Sequence, residues 1–222
     1  MFRKYVAEFL GTCTLVAVVV GSGTMATNLS PDRGVDLLIN TVSTVFALGI
    51  LILIFSSISG AHFNPAVSLS EWIQKRLSLN LLLGYLIVQC LGGISGAVIA
   101  NLMFKNPAYF PSRHMRSGAN LWLGEIVATA GLLFLIQVLR EQKKDSLAPV
   151  VIASWIGSAY FFTSSTSFAN PAVTLARAFS NTFSGIAMGS VAMFVAAQLI
   201  GAALGSFLGN YFNRSQLENE HV

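Results

Sequence analysis

Asn64-Pro65-Ala66 and Asn170-Pro171-Ala172 place the same tripeptide in both halves of a 222-residue chain. An Asn side chain offers one carbonyl acceptor and two N–H donors. It also caps helix N-termini well, and Pro is tolerated at the first helical position. Each segment therefore starts a short helix, expected over about Pro65–Gln74 and Pro171–Phe179, with fixed amide donors at its head. Glu8 and Glu125 are carboxylates set inside apolar runs. Bond-making chemistry has no support. The chain has three histidines, and Cys13 and Cys90 both lie in apolar runs without metal-ligand spacing. No Ser/His/Asp set or phosphate loop is present, so we expect neither enzyme activity, nor a cofactor, nor a metal. What remains is hydrogen bonding to something that passes.

These groups sit in an unusually apolar chain. Hydrophobic residues make up 54% and charged residues 10%, against roughly 25% charged in soluble domains. Mean hydropathy is +0.68. This excludes a disordered chain, a nucleic-acid binder and a secreted disulfide scaffold. Six apolar runs come near the ~20 residues that cross a bilayer: about Tyr5–Gly21, Val35–Phe55, Leu79–Phe104, Leu121–Leu139, Leu147–Thr163 and Ile186–Gly209. The first does not read as a cleaved signal, because Glu8 interrupts it and no small-x-small site follows. Arg3, Lys4, Lys75, Arg76, Arg140, Lys143, Lys144 and Arg214 fall on one side of these spans; Arg33, Lys105, Arg113 and Arg116 fall on the other. The positive-inside rule then puts both termini in the cytoplasm. Short loops and termini suggest a bacterial inner (plasma) membrane.

The halves repeat. Ala7-Glu8-Phe9, His62-Phe63-Asn64-Pro65-Ala66-Val67 and Gln89-x-x-Gly92-x-x-x-Gly96 are followed by Gly124-Glu125-Ile126, Phe168-Ala169-Asn170-Pro171-Ala172-Val173 and Gln198-x-x-Gly201-x-x-x-Gly205. Three spans per copy force the second to start from the opposite face, an inverted repeat with its functional elements at the midplane. We place the repeats at about 1–106 and 119–212 of a single domain, with a polar C-terminal tail over 213–222. The expected fold is an all-α membrane protein of six transmembrane helices plus two re-entrant half-helices. Irregular backbone is tolerated at that depth only where protein or a water-filled cavity surrounds it.

The paired motifs resemble those of the aquaporin and glycerol-facilitator family, the major intrinsic proteins. Ser59-Gly60-Ala61-His62-Phe63-Asn64-Pro65-Ala66-Val67 is similar to that family's first re-entrant loop, and Phe168-Ala169-Asn170-Pro171-Ala172-Val173 to the second. The resemblance implies a narrow pore in each subunit of a homotetramer in the lipid bilayer. It also implies that Glu8 and Glu125 accept hydrogen bonds from loop N–H groups. His62 reads as a buried organiser of the first loop. Gln89 and Gln198 read as interhelical ties. The glycines read as close-packing positions.

The family's constriction is lined by four side chains, one of them an Arg three residues after the second motif's Asn in water-selective members. Here that position is Val173. Ungapped counting from each Asn gives Thr44, Ser158 and Ser167 for the others, with Phe46 in place of Thr44 if the register shifts by two. Such a filter has no Arg, no His and no aromatic unless Phe46 enters it. Hydroxyls and an isopropyl group make it wide and mildly amphipathic, suited to glycerol, urea and neutral metalloid hydroxides. Val173 and the Ser/Thr-rich approach resemble the bacterial aquaporins associated with arsenic resistance. Arg177 and Glu71 each lie one turn beyond their motif's Val, which gives a basic outer vestibule and an acidic inner one if they face the lumen; the alternative is that both charges satisfy loop carbonyls or carboxylates away from it. Arg177 would then draw weak acids or anions, organic arsenicals among them, toward the mouth.

The leading expectation is a passive channel for small neutral solutes. Other readings remain: a water-selective pore, a secondary transporter using Glu8 and Glu125 as proton carriers, or a closed structural membrane protein.

Overall fold

The computed structural model describes residues 1–219, with side chains through Phe212. Eight α-helices run in the order α1 (Phe2–Leu29), α2 (Arg33–Ser59), α3 (Pro65–Ile73), α4 (Leu79–Met103), α5 (Ala119–Glu141), α6 (Ala148–Phe162), α7 (Pro171–Arg177) and α8 (Met188–Asn219), with a 3-10 turn at Asp145–Leu147 before α6. Among the described residues no β-strand forms; Phe110 and Ser180 make an isolated bridge. Among the described residues six helical segments are long and apolar enough to cross a membrane, the fifth being α6 together with its 3-10 turn (Asp145–Phe162). Two are half-length, so the architecture is six spans plus two half-helices.

Several helices outrun their apolar stretches. α1 passes Gly21 to Leu29 because Ser22 and Thr24 return their hydroxyls to the Val18 and Val20 carbonyls, at 2.6 and 2.9 Å, and Thr27 bonds Thr24. Polar side chains that bond their own helix do not end it. α8 continues into the tail expected over 213–222; residues 220–222 lie outside the described residues.

α1 packs against α2 and α4, and α5 against α6 and α8. The half-helices join these groups: α3 touches α4 and α8, while α7 touches α8, α4 and α1. The α1–α4 and α5–α8 seams are close enough to exclude a side chain. A β-carbon at Gly96 would overlap the Cys13 carbonyl, and one at Gly205 the Ala130 carbonyl. Small residues of this kind let helices approach where no hydrophobic effect drives them together.

Buried polar contacts then fix the two loops. Glu8 accepts from Ser59 Oγ (2.6 Å), His62 N (2.9 Å), Phe63 N (2.6 Å) and Gln89 Nε2 (2.9 Å). Glu125 accepts from Phe168 N (2.9 Å), Ala169 N (2.9 Å) and Gln198 Nε2 (2.6 Å). The same glutamine amides reach the half-helices: Gln89 to Ser68 Oγ at 3.0 Å, and Gln198 to Thr174 Oγ1 at 2.8 Å. Both carboxylates are fully buried. Each is a strand of charge-assisted bonds from a full-length helix to a loop.

Two outcomes follow. Gly96→Ala and Gly205→Ala must push helices apart, and such overpacking costs ~1–3 kcal/mol. Thermal unfolding in detergent should show a lowered midpoint for both. Gly189→Ala, with nothing within 4 Å of the new carbon, should not move it. Glu125→Gln turns an amide N–H₂ toward groups that are already donors, at a cost of ~1.5–3 kcal/mol for each charge-assisted bond lost. We expect lower stability and lower flux together. A flux that instead lost only its dependence on a proton gradient would indicate proton carriage by Glu125.

Candidate pore and its constriction

Asn64 and Asn170 cap α3 and α7 from extended backbone. Asn64 Oδ1 accepts from Ala66 N at 2.9 Å; Asn170 Oδ1 accepts from Ala172 N and Val173 N at 3.0 and 3.2 Å. Pro65 and Pro171 take the first helical positions, and Ala66 and Ala172 are fully buried. The amide nitrogens cross between the halves. Asn64 Nδ2 donates to the Ala169 carbonyl (2.8 Å) and Asn170 Nδ2 to the Phe63 carbonyl (2.7 Å). The two half-helix heads thus meet, and each amide keeps a second N–H beyond the cross-tie.

A lumen of 460 Å³ runs past this junction. One wall is polar and made of loop: Gly60–Asn64 from the first half and Ser167–Asn170 from the second. Ala61, Phe63, Ser167 and Ala169 all hold left-handed backbone, with φ of 50°, 48°, 50° and 49°. Such conformations cost ~1–3 kcal/mol each and collect at functional sites. Among the described residues, the carbonyls of Ala61, His62, Ser167 and Phe168 take no hydrogen bond from the protein, which leaves them as acceptors. The opposite wall is apolar. Leu48 and Ile52 of α2, Leu132 and Ile136 of α5, and Ile152 and Ile156 of α6 supply it.

Thr44, Tyr160, Ser167 and Val173 line the lumen toward its Arg177 end. Thr44 is buried, donates to the Asn40 carbonyl at 2.8 Å and accepts from Tyr160 Oη at 3.4 Å; Phe46 faces outward, 68% exposed. Ser167 is buried and its hydroxyl has no hydrogen-bond partner among the described residues. Ser158 does not join them. It is exposed on the outer face of α6, while Ile152, Ile156 and Tyr160 make the inner stripe. At 100° per residue, Ser158 stands about 200° from both Ile156 and Tyr160. Ungapped counting back from Asn170 therefore landed two residues early, and the lumen lining at this end includes an aromatic that it left out. The four-residue spacing of Ile152, Ile156 and Tyr160 along α6 was the signal that finds Tyr160.

The vestibule expectations also change. Glu71 makes no open acidic mouth. It is buried, accepts from Arg76 Nε and Nη2 at 3.1 and 3.2 Å, and pairs with Arg140 Nη1. Arg76 also donates to Gln137 Oε1 at 2.6 Å. With Lys4 beside them, a 360 Å³ recess at this end is net basic. Arg140, which sequence reasoning did not single out, lines the lumen as well. Arg177 is not an exposed vestibule residue. It is 2% exposed, donates Nε to the Ser184 carbonyl, lies 3.4 Å over the Phe168 ring, and still lines the lumen. Arg116 approaches the same ring at 5.2 Å. In the loop at this end, burial, then Arg116 and Arg33, hold the His114 imidazole below its ordinary range. His62 is half-buried rather than enclosed: it lines the lumen, contacts Ser68 Oγ through Nδ1 at 3.0 Å and packs edge-on against Tyr85.

Comparison with known proteins bears on this geometry. The major intrinsic protein family pattern matches residues 1–169. The chain is 46% identical over 200 residues to the aquaglyceroporin AqpS of Rhizobium meliloti, covering 90% of this chain and 85% of that one. It is 29% identical over 219 residues to a probable TIP-type aquaporin of Antirrhinum majus, covering 93% and 85%. The crystal structure of the aquaglyceroporin from Plasmodium falciparum superposes with a TM-score of 0.72 at 20% identity, covering 96% of this chain and 95% of that one, which shows a shared fold. The chain belongs to the major intrinsic protein family, and is an integral membrane channel for small neutral solutes rather than an enzyme.

Proposed function

We propose that this channel passes solutes larger than water, of the glycerol and urea class, together with neutral metalloid hydroxides and arsenicals. The observation that carries this reading is Val173 at the lumen, three residues after Asn170, with no guanidinium at that position. An isopropyl group neither donates hydrogen bonds nor spans the bore. Tyr160, bonded to Thr44 on the same lumen, supplies an aromatic ring in place of Ser158, so we take the filter to be tighter than one built from Thr44, Ser158, Ser167 and Val173. A polar wall facing an apolar wall suits a solute with hydroxyls along one edge and C–H along the other, as in a polyol. Similarity to an aquaglyceroporin at 46% identity supports the same class.

Passive flow is favoured over coupled transport because Glu8 and Glu125 are both occupied by loop and glutamine donors. The two Asn amides and the half-helix heads at the midplane present donors and positive dipole ends, which oppose cation and proton passage. In the cell, we place both termini and the Arg140 end in the cytoplasm of a bacterial plasma membrane, the Arg177 end outside, and four copies in a tetramer. The repeats, about 1–106 and 119–212, lie within one channel domain.

Stopped-flow light scattering on reconstituted liposomes tests the filter. Sucrose steps report water, and glycerol, urea and arsenite uptake report larger solutes. Fast uptake of the larger solutes is expected, and Val173→Arg should cut glycerol and urea at least about tenfold while water flow persists. Fast water with slow glycerol, urea and arsenite in the unaltered protein would establish a water-selective pore instead. No flux of any kind would establish a closed one. Position on α6 is tested separately: Tyr160→Trp should reduce glycerol flux about tenfold, and Ser158→Trp should leave it within about twofold.

A further inference from the structure

We infer that the recess at the Arg140 end of the lumen binds a small phosphate-class dianion from solution, and that the bound anion slows neutral solutes passing that end. The effect on flux rests on the channel reading above; the site itself does not. Lys4, Arg76, Arg140 and Glu71 are the charged residues lining this 360 Å³ recess, which leaves it a net charge of +2. A recess of that size suits a small ligand. The cations are reachable: the Arg76 and Arg140 side chains are 29% and 33% exposed, and Lys4, Ser56 and Ser57 are exposed as well.

Glu71 occupies part of these cations and leaves the rest open. Its carboxylate takes Arg76 Nε and Nη2 and Arg140 Nη1. Asp145 stands 3.9 Å from Arg140 Nε and does not line the recess. Among the described residues, Arg76 Nη1, Arg140 Nη2 and Lys4 Nζ have no hydrogen-bond partner, nor do the Ser56 and Ser57 hydroxyls. Glu71 thus holds an Arg from the α3–α4 turn beside an Arg from the last turn of α5. The two like charges are already side by side before a ligand arrives, so binding does not have to assemble them. Guanidinium forks and an ammonium match an anion with several acceptor oxygens. A carboxylate has two oxygens and one charge. A phosphate monoester has three terminal oxygens and carries about −1.5 to −2 near neutral pH, which balances the recess.

The recess opens into the mouth of the pore. Ser56, Ser57, Gly60, His62 and Arg140 line both it and the lumen. An anion held by Arg140 and Lys4 therefore stands beside the path of a passing solute. It goes no further. One and two turns back along α5, Ile136 and Leu132 line the lumen, and the loop wall opposite presents carbonyl oxygens. Neither replaces the water that a dianion would lose, so the pore stays one for neutral solutes.

The test uses the purified protein with inorganic phosphate as probe, against chloride at equal ionic strength. In detergent, phosphate should raise the thermal unfolding midpoint above its value in chloride. In phosphatidylcholine liposomes with phosphate on both sides, saturating phosphate should slow glycerol flux at least about twofold. Arg140→Gln should raise the half-effective phosphate concentration at least about tenfold in both measurements, and Lys4→Gln about threefold. If Arg140→Gln does not fold, Lys4→Gln, a change at an exposed residue, carries the test. Glycerol flux indifferent to phosphate, with an unmoved midpoint, overturns the site and leaves the channel standing. An equal response in the substituted proteins also overturns it. A raised midpoint without slowing supports the site and overturns its effect on flux. Slowing by added phosphatidylglycerol, with phosphate contributing nothing, overturns the dissolved ligand in favour of a lipid headgroup. A raised midpoint in a protein that passes no glycerol supports the site and overturns the channel reading.

Discussion

The cross-tie between Asn64 and Asn170 is the contact on which the rest depends. Each amide caps its own half-helix and donates to the other loop's carbonyl, at 2.8 and 2.7 Å. Neither half can satisfy its loop alone. At the depth of the hydrocarbon, an unpaired backbone group costs several kcal/mol. Two irregular loops are stable there because they close on each other and because buried acceptors hold them from behind. Glu8 and Glu125 are those acceptors, and Gln89 and Gln198 tie them in turn to Ser68 and Thr174. The glycine seams bring α4 onto α1 and α8 onto α5, closely enough for a glutamine on one helix to reach a glutamate on the other.

That support determines what the lumen can do. The carboxylates spend their lone pairs on backbone N–H groups and side-chain donors, and so hold the strained loop conformations in place. The strain has a use. Left-handed residues at matched places in both loops accompany carbonyls that no donor among the described residues occupies. Desolvating a solute hydroxyl is unfavourable unless acceptors replace its water. A rigid row of carbonyls opposite an aliphatic wall performs that replacement without closing around the solute, which is what rapid passage requires.

Much of this was legible in the sequence, for reasons that differ by element. Asn-Pro-Ala states a helix start in three residues, and its duplication in an apolar chain states where two such starts meet. Apolar run length gave the spans but underestimated α1, because Thr24 and Thr27 look like termination signals until their hydroxyls are seen bonding the helix's own carbonyls. Thr44 was placed by counting along a helix continuous with its loop. Ser158 was misplaced by counting back through the Thr163–Ala169 loop, whose length relative to other members one sequence does not reveal; helical periodicity within α6 selects Tyr160. Glu71 was misjudged because its charge is cancelled partly by Arg140, on a helix from the other half. Nothing local announces that pairing.

Arg177 shows how a shift of four residues changes the meaning of one side chain. A guanidinium three residues after Asn170 would stand in the bore, excluding by size and donating to whatever fits. One turn further along α7 it packs on Phe168 and bonds the Ser184 carbonyl. Its bulk is then absorbed by the wall, while its charge still bears on the lumen, since Coulomb interactions in a low-dielectric surround reach well beyond contact. The isopropyl group of Val173 occupies the vacated position. Bulk and charge, which an Arg directly after the motif would bring together, belong here to two residues on one face of a seven-residue helix. Val173 at the lumen and Arg177 packed on Phe168 are separate side chains, so size and charge at this end of the lumen can change independently.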